Sequence, residues 1–363
     1  MSKRREVAFV VAVAGLAGVA AVCGMKPGRS ADAVLERFEA QQPHMGTIFR
    51  IVVYAADEKQ AREACQAAFQ RIAQLDNTMS DYKEDSELMR VCREAAGKPV
   101  KVSPDLFRVL SAAQEMAQVS DGAFDVTVGP IVRLWRRARR QGQLPDAKRL
   151  EMARQLVGYQ KLRLDRQQQT VELAQPGMIL DLGGIGKGYA ADAALDVLVQ
   201  HGLPRALVAA GGDVRVGEPP PNTTGWKVAI AGIEDGSRAT EYLLLRQAAV
   251  STSGDLEQFV EIGGRRYSHI VDPRTGQALM GRRSATVVAP TSTQADSWAT
   301  TLCVLGPEKG LPLVEKQAGF AARFLLAEDT AKPSAGEPKS PTGRDTVPVR
   351  VFTTRNWTKL PRP

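Results

Sequence analysis

Met178–Ala194 reads MILDLGGIGKGYAADAA. An apolar run, Met178-Ile179-Leu180, ends in an acid, Asp181. Gly183, Gly184, Gly186 and Lys187 follow at once, then small residues and Tyr189 at a helical pace. The pattern predicts a strand, a tight glycine turn and a helix start. Such a turn lets backbone N–H groups approach a phosphate closely, with a helix dipole behind them. It serves equally for close packing of a strand on a helix, so both readings stay open. Two phosphate motifs are excluded. Aligning Gly186-Lys187 with the G-K of G-x-x-x-x-G-K-[ST] puts Asp181 at the first glycine and Gly188 at the hydroxyl position. Aligning Gly184-x-Gly186 with G-x-G-x-x-G requires glycine where Tyr189 stands.

Outward from this turn, the 363-residue chain is 24% charged and long enough for one large domain. Its N-terminus is a separate object. Lys3, Arg4 and Arg5 precede an apolar run, Val7–Val22, which reads as an export signal or an uncleaved anchor. Cys23 stands where a lipoprotein cysteine would, although Val22 replaces the small residue that usually precedes one. Cys65, Cys92 and Cys303 are too far apart for a disulfide framework or a zinc pattern and read as small buried apolar residues. The net charge is +8, with arginines concentrated in Arg133–Arg140 around Trp135. In an exported protein this run reads as a solvated helix face or a surface facing anionic lipid, not as a nucleic-acid site.

Periodicity predicts a strand at Met45–Tyr54, an amphipathic helix at Glu58–Leu75, a polar turn region from Asp76 to Leu88 and a short helix at Glu87–Val91. Pro104–Val119 reads as a helix capped by Ser103. Leu162–Leu164 and Thr170–Leu173 read as a hairpin. Pro204–Ala209, Trp226–Ile230, Glu241–Ala249, Ser284–Val288, Phe320–Leu326 and Val347–Thr353 read as strands, and Asp296–Leu305 as the opening of a buried helix. Ala331–Thr346, rich in Pro, Gly, Lys and Ser, reads as a loop. Helices and strands mix without regular alternation, which predicts an α+β class. The expected organisation is a signal or anchor over 1–22, a linker over 23–42 and a single large mixed domain over 43–357.

Few residues carry obvious chemistry. His201 precedes Gly202 at a helix end and reads as a cap. His269 lies on a strand that runs into Asp272-Pro273-Arg274-Thr275-Gly276 and, beside the hydroxyl-rich loop Ser251-Thr252-Ser253-Gly254-Asp255, reads as an acid–base candidate. Asp296, with hydroxyls one helical turn later, suits a hard cation such as magnesium, or else the dipole at a helix start.

Eight segments occur in an order that resembles one family, the ApbE flavin transferases: Met45-Gly46-Thr47; Met79-Ser80-x-Tyr82 with Asp85-Ser86-Glu87-Leu88; Gly122–Pro130; Asp181–Gly188; Gly211-Gly212-Asp213; Ser251–Asp255; His269-Ile270-x-Asp272-Pro273-x-Thr275-Gly276; and Ala295-Asp296. The resemblance implies an ApbE-type fold and a periplasmic enzyme that moves FMN from FAD onto a protein threonine or serine. It further implies that Met45 and Tyr82 pack on the flavin. The backbone of Ala123, Phe124 and Asp125 and the residue Ile270 would line the FAD pocket, and Asp181 and Lys187 would hold FAD. Magnesium would be bound by Asp296, Thr300 and the Gly184 carbonyl, while Ala299 departs from relatives that carry an acid there. His269 is the expected base, with Asp255 and Asp272 as rivals. The acceptor would be a subunit of a membrane redox system with a motif around Ser/Thr-Gly-Ala-Ser/Thr. The N-terminal segment, or lipid on Cys23, would hold the enzyme at the inner membrane. Two other activities fit the same residues: a magnesium-dependent FAD pyrophosphatase and an exported flavin carrier.

Overall fold

A computed structural model describes residues 34–233, 239–255, 258–327 and 348–363. The chain opens with a hairpin, β1 (Glu36–His44) and β2 (Thr47–Ala55), then α1 (Glu58–Met79), α2 (Glu87–Glu94), β3 (Val100–Lys101), α3 (Pro104–Val119), α4 (Gly129–Gln141) and α5 (Ala147–Arg154). A second hairpin, β4 (Leu162–Asp165) and β5 (Thr170–Leu173), precedes α6 (Gly186–Gln200), β6 (Ala206–Ala210) and β7 (Asp213–Val216). Next come β8 (Trp226–Ala231), β9 (Ala239–Leu245), β10 (Ala248–Gly254), β11 (Phe259–Ile262), β12 (Arg265–Val271), β13 (Ala278–Met280) and β14 (Arg283–Ala289). The last elements are α7 (Ser292–Glu315), β15 (Ala321–Ala327) and β16 (Val349–Thr353).

Eight strands form one sheet in the order β1-β2-β6-β7-β10-β14-β15-β16, with every neighbouring pair antiparallel. Side chains alternate across it. Phe49, Ile51 and Val53 enter the main core with residues of α1, α6 and α7, while Val52 joins Leu207, Val214 and Trp226 in a second core under the β8–β9 hairpin. The α+β class is thus realised as a sheet with helices on one face and a hairpin on the other. Ser103 caps α3 as expected, its hydroxyl accepting from the Leu106 N–H at 3.3 Å, with Pro104 in the first turn.

Several expectations are corrected. Met178–Leu180 joins no ladder. Ile179 makes an isolated bridge with Val128, and Leu180 N–H donates to Cys92 Sγ. The helix after the glycine turn, α6, begins at Gly186. Glu36–His44, which begins inside the expected linker and ends in the expected domain, is a strand of the main sheet. α1 continues through Asp76 to Met79, where a polar turn was expected. Glu241–Ala249 is not one strand, because the chain reverses between β9 and β10, with Gln247 left-handed at φ 44°. Ser251–Gly254 therefore belongs to a sheet strand and not to a loop. α7 starts four residues before Asp296 and is broken at Gly306. Cys65, Cys92 and Cys303 are buried free thiols. The expected N-terminal segment and the Ala331–Thr346 loop lie outside the described residues. Among the described residues no helix is long and apolar enough to cross a membrane.

Candidate active site

Beside the helical face of the sheet lies a cavity of about 580 Å³, walled by the β1–β2 turn, the loop after α1, the α3–α4 turn, α4, the glycine turn, β12 and α7. Met45 forms its lip in a left-handed conformation, φ 48°, followed by Gly46 at φ 74°. A two-residue hairpin turn with both φ positive matches strand twist but is costly for a methionine, a strain often found at binding sites. Tyr82 is 72% exposed on the same wall.

The α3–α4 turn presents backbone to the cavity because its acid faces inward. One Asp125 oxygen accepts from Thr127 N–H at 2.8 Å and from Thr127 Oγ1 at 2.7 Å. Burial raises this carboxyl's pKa, and the Thr127 hydrogen bonds only partly offset the effect. Ala123, Phe124 and Ile270 line the cavity.

The glycine turn organises the opposite wall. Asp181 Oδ1 accepts from Gly183 N–H at 2.8 Å, and its Oδ2 accepts from Arg136 Nη2 at 2.7 Å. A Cβ at Gly184 would stand 3.1 Å from Thr300 Oγ1 and 3.2 Å from the Phe124 ring, so a side chain here would crowd both α7 and the α3–α4 turn. Lys187, in the first turn of α6, places Nζ 3.3 Å from each of Asp213 Oδ2 and Asp296 Oδ2, and 3.3 Å from the Gly183 carbonyl. Burial disfavours the ammonium, but the two carboxylates outweigh it and raise its pKa. Asp296 is 2% exposed beneath this lysine and accepts from Gly188 N–H at 3.1 Å. Burial first, and the Asp213 charge second, push its carboxyl pKa up to about 7 against the opposing pull of Lys187.

Thr300 lies one turn after Asp296, with Oγ1 3.3 Å from Ser253 Oγ. Ala299 is fully buried and does not line the cavity. Asp192 of α6 fixes the start of α7 by accepting from Ser292 N–H and Thr293 N–H, both at 2.8 Å, and from Thr293 Oγ1 at 2.6 Å. Among the described residues no group of three or more His, Cys, Asp or Glu side chains is arranged for a metal. The available donors at this point are carboxylate, hydroxyl and backbone carbonyl oxygens, which fit a hard cation and no soft one.

His269 reaches the cavity from β12. Its Nδ1 lies 3.1 Å from the Gln258 carbonyl oxygen. A carbonyl only accepts, so Nδ1 carries the hydrogen and Nε2 keeps its lone pair. Crowding by the protein around the ring holds its pKa below the ordinary value, although Gln258 and Asp255 favour the charged form. The ring is also open to the cavity.

The other expected acid–base groups stand elsewhere. Asp255 is fully buried outside the cavity lining, with Oδ2 2.7 Å from Arg266 Nε and Oδ1 accepting from Arg283 N–H at 3.0 Å. It ties the end of β10 to β12 and β14. Both Asp272 oxygens accept from Arg274 within its own turn.

Arg133–Arg140 is not a uniform solvated face. Arg136 and Arg139 line the cavity, and Arg139 donates to Gln258 Oε1 at 3.2 Å. The sequence pattern gives no site role to these two arginines of the basic run, to Asp81 within Met79-Ser80-x-Tyr82, or to Asp213 within Gly211-Gly212-Asp213.

The ApbE family model matches residues 45–324, which spans every wall of the cavity. The chain belongs to the ApbE family. It is 36% identical over 297 residues to an FAD:protein FMN transferase of Klebsiella pneumoniae (strain 342), covering 78% of this chain and 83% of that protein. It is 32% identical over 312 residues to the FAD:protein FMN transferase of Escherichia coli (strain K12), covering 84% and 89%. The fold superposes on the flavin transferase ApbE from Vibrio cholerae with TM-score 0.76 at 27% identity, over 90% of this chain and 99% of the other. An ApbE protein from Thermotoga maritima gives the same score and identity over 90% and 100%. The glycine turn and the His269 strand of this ApbE member both fall inside the matched range.

Proposed function

We propose that this protein is an FAD:protein FMN transferase that moves FMN from FAD to a threonine or serine hydroxyl of an acceptor protein and releases AMP. One observation carries the reading: a single cavity is lined by an exposed aromatic ring, Tyr82, by the half-buried cation Lys187, with the carboxylates of Asp213 and Asp296 behind it, and by His269, whose Nδ1 faces the Gln258 carbonyl. A flavin dinucleotide has the matching parts, an aromatic ring system and a pyrophosphate.

In this reading Met45 and Tyr82 hold the flavin ring, and the backbone of Ala123, Phe124 and Asp125 with Ile270 completes its pocket. Lys187 faces the pyrophosphate. Asp296, Thr300 and the Gly184 carbonyl would hold magnesium, which would supply charge that makes AMP a better leaving group. His269 Nε2 accepts the proton of the acceptor hydroxyl as its oxygen attacks the FMN-side phosphorus. The P–O bond to AMP breaks, leaving FMN on the acceptor through a phosphoester. The acceptor is a membrane redox subunit with a Ser/Thr-Gly-Ala-Ser/Thr-like motif. The enzyme acts in the periplasm, held to the inner membrane through its N-terminus.

The test is in-gel flavin fluorescence of an acceptor domain bearing that motif, mixed with the protein, FAD and magnesium and then denatured. A fluorescent acceptor band that disappears with EDTA or Asp296→Ala supports the transferase. AMP and free FMN without a band would replace it by a pyrophosphatase. Intact FAD bound without metal would replace it by a carrier.

A further inference from the structure

We propose that Arg136 is the positioning residue for the flavin end of the cavity, presetting Tyr82 as a stacking platform and tying it to Asp181 of the glycine turn. The inference rests on the flavin reading above. The Arg136 guanidinium meets three partners on two other segments. It pairs with Asp81 in the loop after α1, donates to Asp181 Oδ2 at 2.7 Å, and lies 4.4 Å from the centroid of the Tyr82 ring. The two acids are 55 and 45 residues away in sequence. All three charged side chains are well shielded, at 19% exposure for Arg136, 11% for Asp81 and 8% for Asp181.

Three physical consequences follow. Tyr82 is 72% exposed, so packing does little to set its ring, and the cation on one face does so instead while the other face stays open for a planar ligand. Asp81 and Asp181 are close enough to repel. Burial and the Asp181 charge both raise the Asp81 pKa, and Arg136 opposes them. Without the guanidinium, two acids would face a cavity that must admit a diphosphate. Lysine cannot substitute, because a single ammonium does not bridge two carboxylates while lying flat on a ring. In this assignment Arg136 acts through Tyr82 and Asp181, which makes it a positioning residue.

The full-length protein and its Arg136→Ala, Arg136→Lys, Tyr82→Ala and Arg136→Ala/Tyr82→Ala variants are titrated with FAD. Quenching of flavin fluorescence reports stacking, circular dichroism reports folding, and transfer kinetics separate KM from kcat. Arg136→Ala is expected to weaken FAD binding about tenfold, leave the bound flavin brighter and raise KM for FAD more than it lowers kcat. Arg136→Lys, which keeps the charge and tests the role if the alanine variant misfolds, should behave nearer to alanine than to wild type. In the double variant the loss should be smaller than the sum of the single losses. Wild-type quenching in Arg136→Ala or in a folded Arg136→Lys, or full additivity with Tyr82→Ala, would overturn the assignment. A wild-type protein that neither binds nor quenches FAD would overturn the flavin reading and this inference with it.

Discussion

A Cβ placed on Gly188 would lie 2.2 Å from the carbonyl oxygen of Ser292. The first turn of α6 and the first turn of α7 are therefore in backbone contact, with no room for a methyl group between them. The same approach lets Gly188 N–H reach Asp296 Oδ2 and sets Lys187 above that carboxylate. Gly188→Ala should force the helices apart, lower stability by about 1–3 kcal/mol as overpacking does, and reduce activity beyond what the stability loss explains. Denaturant unfolding and FAD turnover on the same preparation check this. A variant with unchanged midpoint and unchanged turnover would contradict it.

Asp296 gives a metal prediction with a sign. Its carboxyl pKa is about 7 in the folded chain against 3.8 ordinarily. The folded chain thus keeps a proton that the unfolded chain has lost, so this group's contribution to metal-free stability is full below pH 3.8 and declines as pH rises through about 7. A cation must displace that proton. Magnesium affinity should climb about tenfold per pH unit below the pKa and level off above it. Asp296→Ala should remove the pH dependence and lower transfer by at least about 100-fold, the scale of several kcal/mol of charge stabilisation. Calorimetric titration at pH 6, 7 and 8 measures the trend, and a flat affinity would refute it.

His269 gives the opposite sign. Crowding by protein lowers its pKa from the ordinary 6.5, so the unfolded chain takes up a proton first as pH falls. Its contribution to stability is full above pH 6.5 and declines as pH drops through the lower folded value. Catalytically, the ring stays neutral, with Nε2 free, well into mildly acidic solution. The acid limb of the transfer rate should therefore lie below pH 6.5 and vanish in His269→Ala, with kcat reduced about 100-fold or more. A limb at or above pH 6.5, or normal turnover in the alanine variant, would remove His269 as the base.

Local chemistry was legible in the sequence, and long-range meetings were not. The glycine turn, the Ser103-Pro104 helix start and the strand carrying His269 all follow from short-range rules. Met178–Leu180 looked like a ladder strand because apolar runs do, yet its N–H at Leu180 is satisfied by Cys92, 88 residues earlier. The β9–β10 reversal at Gln247 was hidden because no glycine or proline marks it. Arg136 looked solvated because a basic helical run is normally so. Its partners Asp81 and Asp181 reach it only through the tertiary fold.

Asp255 separates a scaffold from a catalyst. Its carboxylate is fully buried against Arg266, whose guanidinium also lies 3.3 Å from the Phe259 ring centroid, and it anchors the Arg283 N–H. Removing one member of a buried pair leaves the other charge uncompensated, at a cost of about 3–5 kcal/mol. Asp255→Ala should therefore lower the melting temperature markedly, while kcat per folded molecule at low temperature stays within a few-fold of wild type. His269→Ala should show the opposite balance, with a smaller drop in melting temperature than Asp255→Ala and a large loss of kcat. Thermal melts paired with active-site titration against bound FAD distinguish the two. An Asp255→Asn variant that melts normally but fails to transfer FMN would move the base from His269 to Asp255.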